Sequence, residues 1–282
     1  VKDEEQRKAI NAWANNKFTG SIIAGTGFGK SRCGVIAIGK SLDTNTDARG
    51  VVLVPTNQLQ EQFKEEFIKW GYEHILDRVD ILCYASAYKL ENEHYHVVVC
   101  DEIHLGLSPE YRKFFENNTW DRILCMTATL PEEFEYKEIL FGLAPTVYKI
   151  SLDKCVELGL VSPYQIICMP VKLTDIEEQE YKKANNTFVY AKYCLGQFDA
   201  FDRAKHIMGS GKHTASNADK AAAAQFYRSI RARKAVVDHA DNKVAELQKI
   251  VIKNIGEKVL VFGGSNEFTN KLADATETFS SI

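Results

Sequence analysis

The chain has 282 residues, 45% of them hydrophobic and 26% charged, and a formal net charge of −3. That length buries a full core with room for about two domains, and the mix excludes a disordered chain, a collagen or a coiled coil. Apolar runs such as 51–54 and 97–100 are too short to span a bilayer, and no basic-then-apolar leader opens the chain, although Val1 is not an initiating Met.

In chain order, β-rich runs fall at 20–24, 50–55, 79–83, 95–100 and 122–126, with helical patterns between them. Leu59, Phe63, Phe67 and Trp70 mark one face of a helix over 57–70. The strands are almost continuously apolar, which suits a parallel sheet covered on both faces. Alternating strand and helix predicts an α/β fold with right-handed crossovers. From about Thr174 the texture turns helical, over 175–198 and 217–255. Val237, Ala240, Val244, Leu247 and Val251 form a stripe in the second stretch, and Gly256 ends it. The connection 209–216, Gly-Ser-Gly-Lys-His-Thr-Ala-Ser, reads as flexible. A strand is predicted again at 258–262 and a helix from about Asn266.

Seven dispersed cysteines without a CxxC pair read as reduced core thiols of an intracellular, cytoplasmic protein. A zinc site from His94, His96, Cys100 and His104 can be drawn on paper, but its spacing matches no standard ligand set.

Three motifs carry chemistry. Ala24-Gly-Thr-Gly-Phe-Gly-Lys-Ser31 follows a predicted strand and opens a predicted helix, the context of a phosphate-binding loop. The backbone of Gly25, Thr26, Gly27, Phe28 and Gly29 turns its N–H groups toward phosphates. Lys30 adds a positive charge, and the Ser31 hydroxyl can hold Mg²⁺. Next, the apolar run 97–100 delivers Asp101 and Glu102 to the carboxyl edge of the sheet, where open α/β sheets bind ligands. Asp101 is the second Mg²⁺ candidate, and Glu102 can polarise an attacking water. Thr127-Ala128-Thr129 follows the strand at 122–126, and its value lies in this order.

Together these residues resemble the superfamily 2 helicases and nucleic-acid translocases. Ala24 through Ser31 is similar to that family's first motif, Asp101-Glu102-Ile103-His104 to its second and Thr127-Ala128-Thr129 to its third. Pro55-Thr56 resembles a segment that contacts the nucleic-acid backbone, and Ser86 lies in another. Gln6 resembles the glutamine that reads adenine, with Asp3 where the family usually has Arg. Residues 147–163, with 171–174, Glu180-Tyr181 and Arg233-Lys234, resemble the XPB-like and phage UvsW-like branch, which acts on duplex, branched or damaged DNA.

The resemblance implies a RecA-like P-loop domain with a parallel sheet over 1–150 and a linker with the first strand of a second domain over 151–174. A helical, partly basic insert would occupy 175–256, and the start of a second RecA-like domain 257–282. It also implies an ATP hydrolase using ATP and Mg²⁺, with Lys30, Asp101, Glu102 and His104 catalytic and 127–129 coupling the nucleotide to DNA. An RNA helicase, or a nucleotide-gated binding module, is the alternative. The family's motifs V and VI do not appear before Ile282. The arginines of motif VI contribute about 10³–10⁵ in rate in related enzymes, so this chain alone is expected to bind nucleotide and hydrolyse it poorly. The branch and the compactness suggest a phage source and a role in DNA repair or recombination. No obligate protein partner is evident.

Charge is uneven: residues 203–234 carry a net +7, residues 1–150 a net −5. Arg228, Arg231 and Arg233 are the candidates for a phosphate-contacting surface, with a solvated helix face the alternative. Phe226 and Tyr227 read as core of the helical segment.

Overall fold

The computed structural model describes residues 1–209, 211–212 and 214–277. Its elements are α1 (Lys2–Asn15), β1 (Thr19–Ala24), α2 (Lys30–Leu42), β2 (Gly50–Val54), α3 (Asn57–Lys69), β3 (Val79–Cys83), α4 (Tyr84–Ala87), β4 (His94–Cys100), α5 (Ile103–Gly106), α6 (Lys113–Asn117), β5 (Thr119–Thr127), α7 (Phe134–Leu143), β6 (Thr146–Ile150) and α8 (Leu152–Glu157), followed by α9 (Asp175–Cys194), α10 (Ala200–Met208), α11 (Asn217–Asp238), α12 (Asp241–Lys253) and α13 (Asn266–Glu277). The chain divides into two compact units, Val1–Gln165 and Ile166–Ile282.

The first unit is built on a six-stranded parallel sheet of order β3-β2-β4-β5-β1-β6. Alternate residues of each strand enter opposite cores. Leu124, Met126, Val97, Val99, Val52 and Val54 pack with α1, α2 and α3. Ile123, Cys125, Val98, Cys100, Val51 and Leu53 pack with Tyr84, Ile103, Phe114 and Leu140 on the other face. Burial on both faces is why these strands lack a polar alternation. Cys33, Cys83, Cys100, Cys125 and Cys155 are buried thiols, whereas Cys168 and Cys194 are exposed. Burial pushes the Cys33 thiol up to about 12.

The first unit runs further than the predicted boundary at 150. Cys155 of α8 is fully buried in the α1–α3 core, and Leu158, Leu160 and Val161 pack against it. Residues 151–165 therefore belong to the first unit and carry the helix α8, and no strand is formed between 151 and 174. Nor do residues 258–262 pair as a strand, and Val259, Leu260 and Phe262 are exposed. A strand needs a neighbour for its N–H and C=O groups, and the described residues offer none there.

In the second unit α9 starts at a capping box. Thr174 Oγ1 accepts from the Glu177 N–H, and the Glu177 carboxylate accepts from the Thr174 N–H at 2.8 Å. α9 and α11 share a core of Ala191, Ala223 and Phe226 with Leu195, Ala204 and Ile207, and the Phe226 ring stacks 5.3 Å from Phe188. The single helix expected over 217–255 is broken at Ala240. The other Glu177 oxygen accepts from the Asp241 N–H at 2.8 Å, so one carboxylate caps both α9 and α12. Ser210 and His213 of the predicted flexible connection, and 278–282 of the predicted second domain, lie outside the described residues. No helix among the described residues is long and apolar enough to cross a membrane.

Candidate nucleotide and nucleic-acid sites

Every motif of the first unit sits where a strand ends. The phosphate loop follows β1, Pro55-Thr56 follows β2, Ser86 follows β3, Asp101-Glu102 follows β4, and Thr127 closes β5. In a parallel sheet these ends share one edge, the edge at which open α/β sheets bind ligands.

The loop between β1 and α2 has Gly27 at φ 89° and Gly29 at φ 88°. A side chain is strained in that region, and a Cβ on Gly29 would lie 2.3 Å from Gln6 Nε2. Lys30 is buried, and its Nζ donates to the Ala24 carbonyl at 3.0 Å and lies 3.7 Å from Glu102 Oε1. Phe28 is fully buried against Tyr148 and anchors the loop.

Gln6 lies against the phosphate loop. It is 2% exposed, and its Nε2 donates to the carbonyls of Phe28 (2.7 Å) and Gly29 (3.3 Å). Its Oε1 accepts from Arg32 at 2.8 Å. Both amide protons are thus committed to the loop, and Gln6 acts as a brace for the phosphate site. Lys2 adds a bond from its Nζ to the Gly27 carbonyl at 2.7 Å.

Asp101 is 8% exposed, and burial, reinforced by the Glu102 carboxylate, pushes its carboxyl up to about 6; Lys30 and the Glu102 backbone N–H oppose the rise. A buried carboxylate beside a second one is a hard oxygen site short of positive charge, and the Ser31 hydroxyl is a further oxygen donor, so this donor set fits Mg²⁺. The strand end is pinned by Tyr84, whose OH donates to the Asp101 carbonyl at 2.9 Å. Glu102 adopts a left-handed backbone at φ 47° and ψ 52°, which costs about 1–3 kcal/mol in a non-glycine residue and clusters at functional sites.

Glu102, His104 and Thr127 form a relay. Thr127 Oγ1 lies 3.1 Å from Glu102 Oε2, 2.9 Å from His104 Nδ1 and 2.9 Å from the Thr129 carbonyl, while the Ala128 N–H reaches Glu102 at 3.5 Å. The hydroxyl has one proton, so it can serve either Glu102 or the Thr129 carbonyl. When Glu102 takes it, the Thr127 oxygen can still accept from a protonated His104 Nδ1.

Pro55 is half-buried and Thr56 exposed; the Thr56 hydroxyl caps α3 by accepting from the Leu59 N–H at 3.4 Å. Ser86 is exposed and donates to the Cys83 carbonyl. The paper zinc set does not assemble: His94 and His96 pair with Asp121 on β4, toward its amino end, while Cys100 and His104 lie at the opposite end. No group of three or more metal-ligating side chains occurs among the described residues.

In the second unit, Arg228 and Arg231 are exposed on α11, each donating through Nε to the carbonyl four residues earlier. With Lys205 they line a cavity of about 620 Å³ between α10 and α11. Arg233 differs from the other two. Its guanidinium lies 4.4 Å from the Phe188 ring centre and donates to the Tyr181 hydroxyl at 3.1 Å. It is a packing residue between α9 and α11, because position 233 falls on the α9-facing side of the helix. Arg32 carries no sign of its position in the sequence; Trp70 closes the apolar face of α3, and its ring centre lies 4.0 Å from the Arg32 guanidinium.

The comparisons bear on this geometry. Residues 3–94 match the DEAD/DEAH box helicase family. The match spans the phosphate loop and Pro55-Thr56. The helicase domain of Hef from Pyrococcus furiosus resembles this chain with a TM-score of 0.51 and 14% identity, over 97% of this chain and 79% of that one. The first unit is a RecA-like α/β domain. The UvsW helicase of bacteriophage T4 (14% identity, 52% of this chain, 59% of that one) and the SWI2/SNF2 ATPase core of Sulfolobus solfataricus in complex with dsDNA (16%, 98% and 70%) each give a TM-score of 0.43. No curated protein sequence matches significantly.

Proposed function

We propose that the chain is the motor portion of an ATP-dependent DNA helicase or translocase. The carrying observation is the contact of three motifs at one sheet edge: Lys30 lies 3.7 Å from Glu102, and Glu102 lies 3.1 Å from Thr127. A phosphate site, a water-activating carboxylate and a segment on a third strand thereby share one network.

The loop amides and Lys30 bind the phosphates of ATP, and Glu102 orients and polarises the water that attacks the terminal one. Ser31 and Asp101 would hold Mg²⁺, which supplies charge neutralisation at the phosphates when bound. The Thr127 proton serves Glu102 or Thr129, so a change of charge beside Glu102 shifts the 127–129 segment. Pro55, Thr56 and Ser86 lie on the β2–β3 side of the same edge and would meet the nucleic-acid backbone. Arg228, Arg231 and Lys205 supply a basic face for phosphates. DNA is favoured over RNA by the branch resemblance in residues 147–163. Intracellular action on branched DNA, in repair or recombination, agrees with that resemblance.

The test is ATP turnover with no nucleic acid, single-stranded DNA, branched DNA and RNA, read together with DNA affinity in the presence and absence of Mg·ATP. We expect a low basal rate, stimulation by DNA, and a nucleotide-dependent DNA affinity. Stimulation by RNA alone overturns the DNA assignment. Nucleotide-dependent binding without turnover under any condition favours a gated binding module.

A further inference from the structure

α1 and α2 flank a cavity of about 320 Å³ whose apolar lining is Ile10, Trp13, Ala14, Phe18, Ile36 and Ala37. Three polar side chains, Asn11, Lys40 and Arg122, face it as well. Phe18 stands directly before β1, Arg122 lies in the first half of β5, and Lys40 lies near the end of α2. The cavity is therefore at the end of the sheet away from the phosphate loop.

Two rings make a corner in it. Trp13 and Phe18 meet edge to face, with centres 5.2 Å apart and planes at 79°. Phe18 reaches that place through an uncommon backbone, since Lys17 and Phe18 have φ values of 56° and 58°. The Phe18 N–H donates to the Trp13 carbonyl at 3.1 Å, and its carbonyl accepts from the Ile123 N–H at 2.9 Å. Consecutive left-handed residues other than glycine persist only where their surroundings fix them. The polar groups divide into engaged and unengaged. Trp13 Nε1 donates to the Ile123 carbonyl at 2.8 Å, and the Ser41 hydroxyl to the Ala37 carbonyl at 2.7 Å. The Arg122 guanidinium lies 4.5 Å from the Phe18 ring centre, a contact that consumes none of its N–H donors. Neither Arg122 nor Lys40 has a carboxylate partner among the described residues.

We propose that this cavity is a binding site for a small aromatic carboxylate, separate from the nucleotide site. The ring of the ligand fills the Trp13–Phe18 corner, and its carboxylate meets Arg122, with Lys40 as the outer charge. A mostly apolar lining with a few polar groups is the usual make-up of ligand pockets, whose volumes start at about 300 Å³. A cavity of about 150 Å³ holds benzene, so this one has room for about two fused rings. The two unpaired cations select the charge of the occupant, because a carboxylate gains charge-assisted hydrogen bonds that a neutral ring compound does not. Nothing in this assignment depends on what the phosphate loop binds.

The test is titration calorimetry of the full chain with 2-naphthoate and with its neutral counterpart 2-naphthamide, in the presence and absence of excess inorganic tripolyphosphate. It is repeated on Arg122→Gln and on the Arg122→Gln/Lys40→Gln double variant, with urea midpoints as the check on folding. The expected dissociation constant for 2-naphthoate is about 1 mM or tighter, the ordinary efficiency of a ligand of about thirteen heavy atoms. 2-Naphthamide should bind at least about tenfold more weakly. Arg122→Gln should weaken 2-naphthoate by about fivefold or more, and the double variant should bring it to the level of the amide. Tripolyphosphate should leave 2-naphthoate binding unchanged. Equal binding of acid and amide overturns the proposal, and so does a folded double variant that binds 2-naphthoate like the wild type. Displacement by tripolyphosphate also overturns it, by placing the anion at the phosphate loop. No binding of 2-naphthoate at about 10 mM does the same. If the double variant fails to fold, the acid–amide comparison and the tripolyphosphate competition on the wild type decide.

Discussion

Replacing Asp101 with asparagine is expected to stabilise the nucleotide-free protein while abolishing turnover. The Asp101 carboxyl is buried beside Glu102, and its pKa is raised from 3.8 to about 6. A group whose folded pKa lies above its unfolded one contributes stability that is complete below the unfolded value and is lost as pH rises through the folded one. The gap corresponds to about 3 kcal/mol at pH 8, an upper figure because the surroundings relax around the charge. Asparagine has the same shape and no charge to desolvate. Urea unfolding at pH 8, 6 and 4 should therefore show Asp101→Asn more stable by about 2–3 kcal/mol at pH 8, by only slightly less at pH 6 and by about 0.5 kcal/mol at pH 4. Saturating Mg·ATP should shrink the pH 8 difference, because only the charged residue gains from a cation. A variant less stable than the wild type at pH 8, or a difference independent of pH, would refute the reasoning.

Four further outcomes follow from the site geometry. Gly29→Ala should weaken Mg·ATP binding at least tenfold in titration calorimetry, since its Cβ would meet Gln6 Nε2 in a backbone region costing about 1–3 kcal/mol for alanine. Thr127→Val should lower turnover by about 10–100-fold while leaving Mg·ATP affinity nearly unchanged, matching about 1.5–3 kcal/mol for a hydrogen bond to a charged group; equal turnover would remove Thr127 from the relay. Charge reversal at Arg228 and Arg231 should flatten the salt dependence of DNA binding, by about one unit of slope per phosphate that the variant no longer neutralises, measured by fluorescence anisotropy. Arg233→Ala should instead lower the urea midpoint and leave the slope as it was, because that guanidinium packs on Phe188.

The parts of the fold legible in the sequence are those governed by local pattern. β1, β2, β4 and β5 could be read because residues buried on both sides leave apolar runs, the edge strand β3 because Ile81-Leu82-Cys83 stays apolar after Asp80, and the phosphate loop because strand, glycines and Gly-Lys-Ser occur together. β6 escaped: Thr146–Ile150 is an edge strand of mixed exposure, without such a run. The break at Ala240 was invisible because the apolar spacing continues through it and Glu177, the residue that caps the new helix, lies 64 positions away. The predicted strand at 258–262 has strand-forming residues, yet pairing is a property of two segments. Within the site, residue identities indicated phosphate and carboxylate chemistry, but not the direction of side chains. Gln6 turned into the loop and Arg233 turned toward α9 are facts of packing, and a charge total over 203–234 treats all of its arginines as equal.

The strand order has a consequence for engineering. β5 lies between β4 and β1, so Thr127 has the Glu102 carboxylate on one flank and the glycine-rich loop on the other. On the proposed function, gripping the nucleotide and reporting its state would be carried on different strands, and the reporter could be retracted alone. Deleting one residue from the turn after Thr127 would leave both flanking strand ends untouched while moving Ala128 and Thr129 by about 3.3 Å, one strand step. The expected product is an idling motor that consumes ATP without converting it into movement.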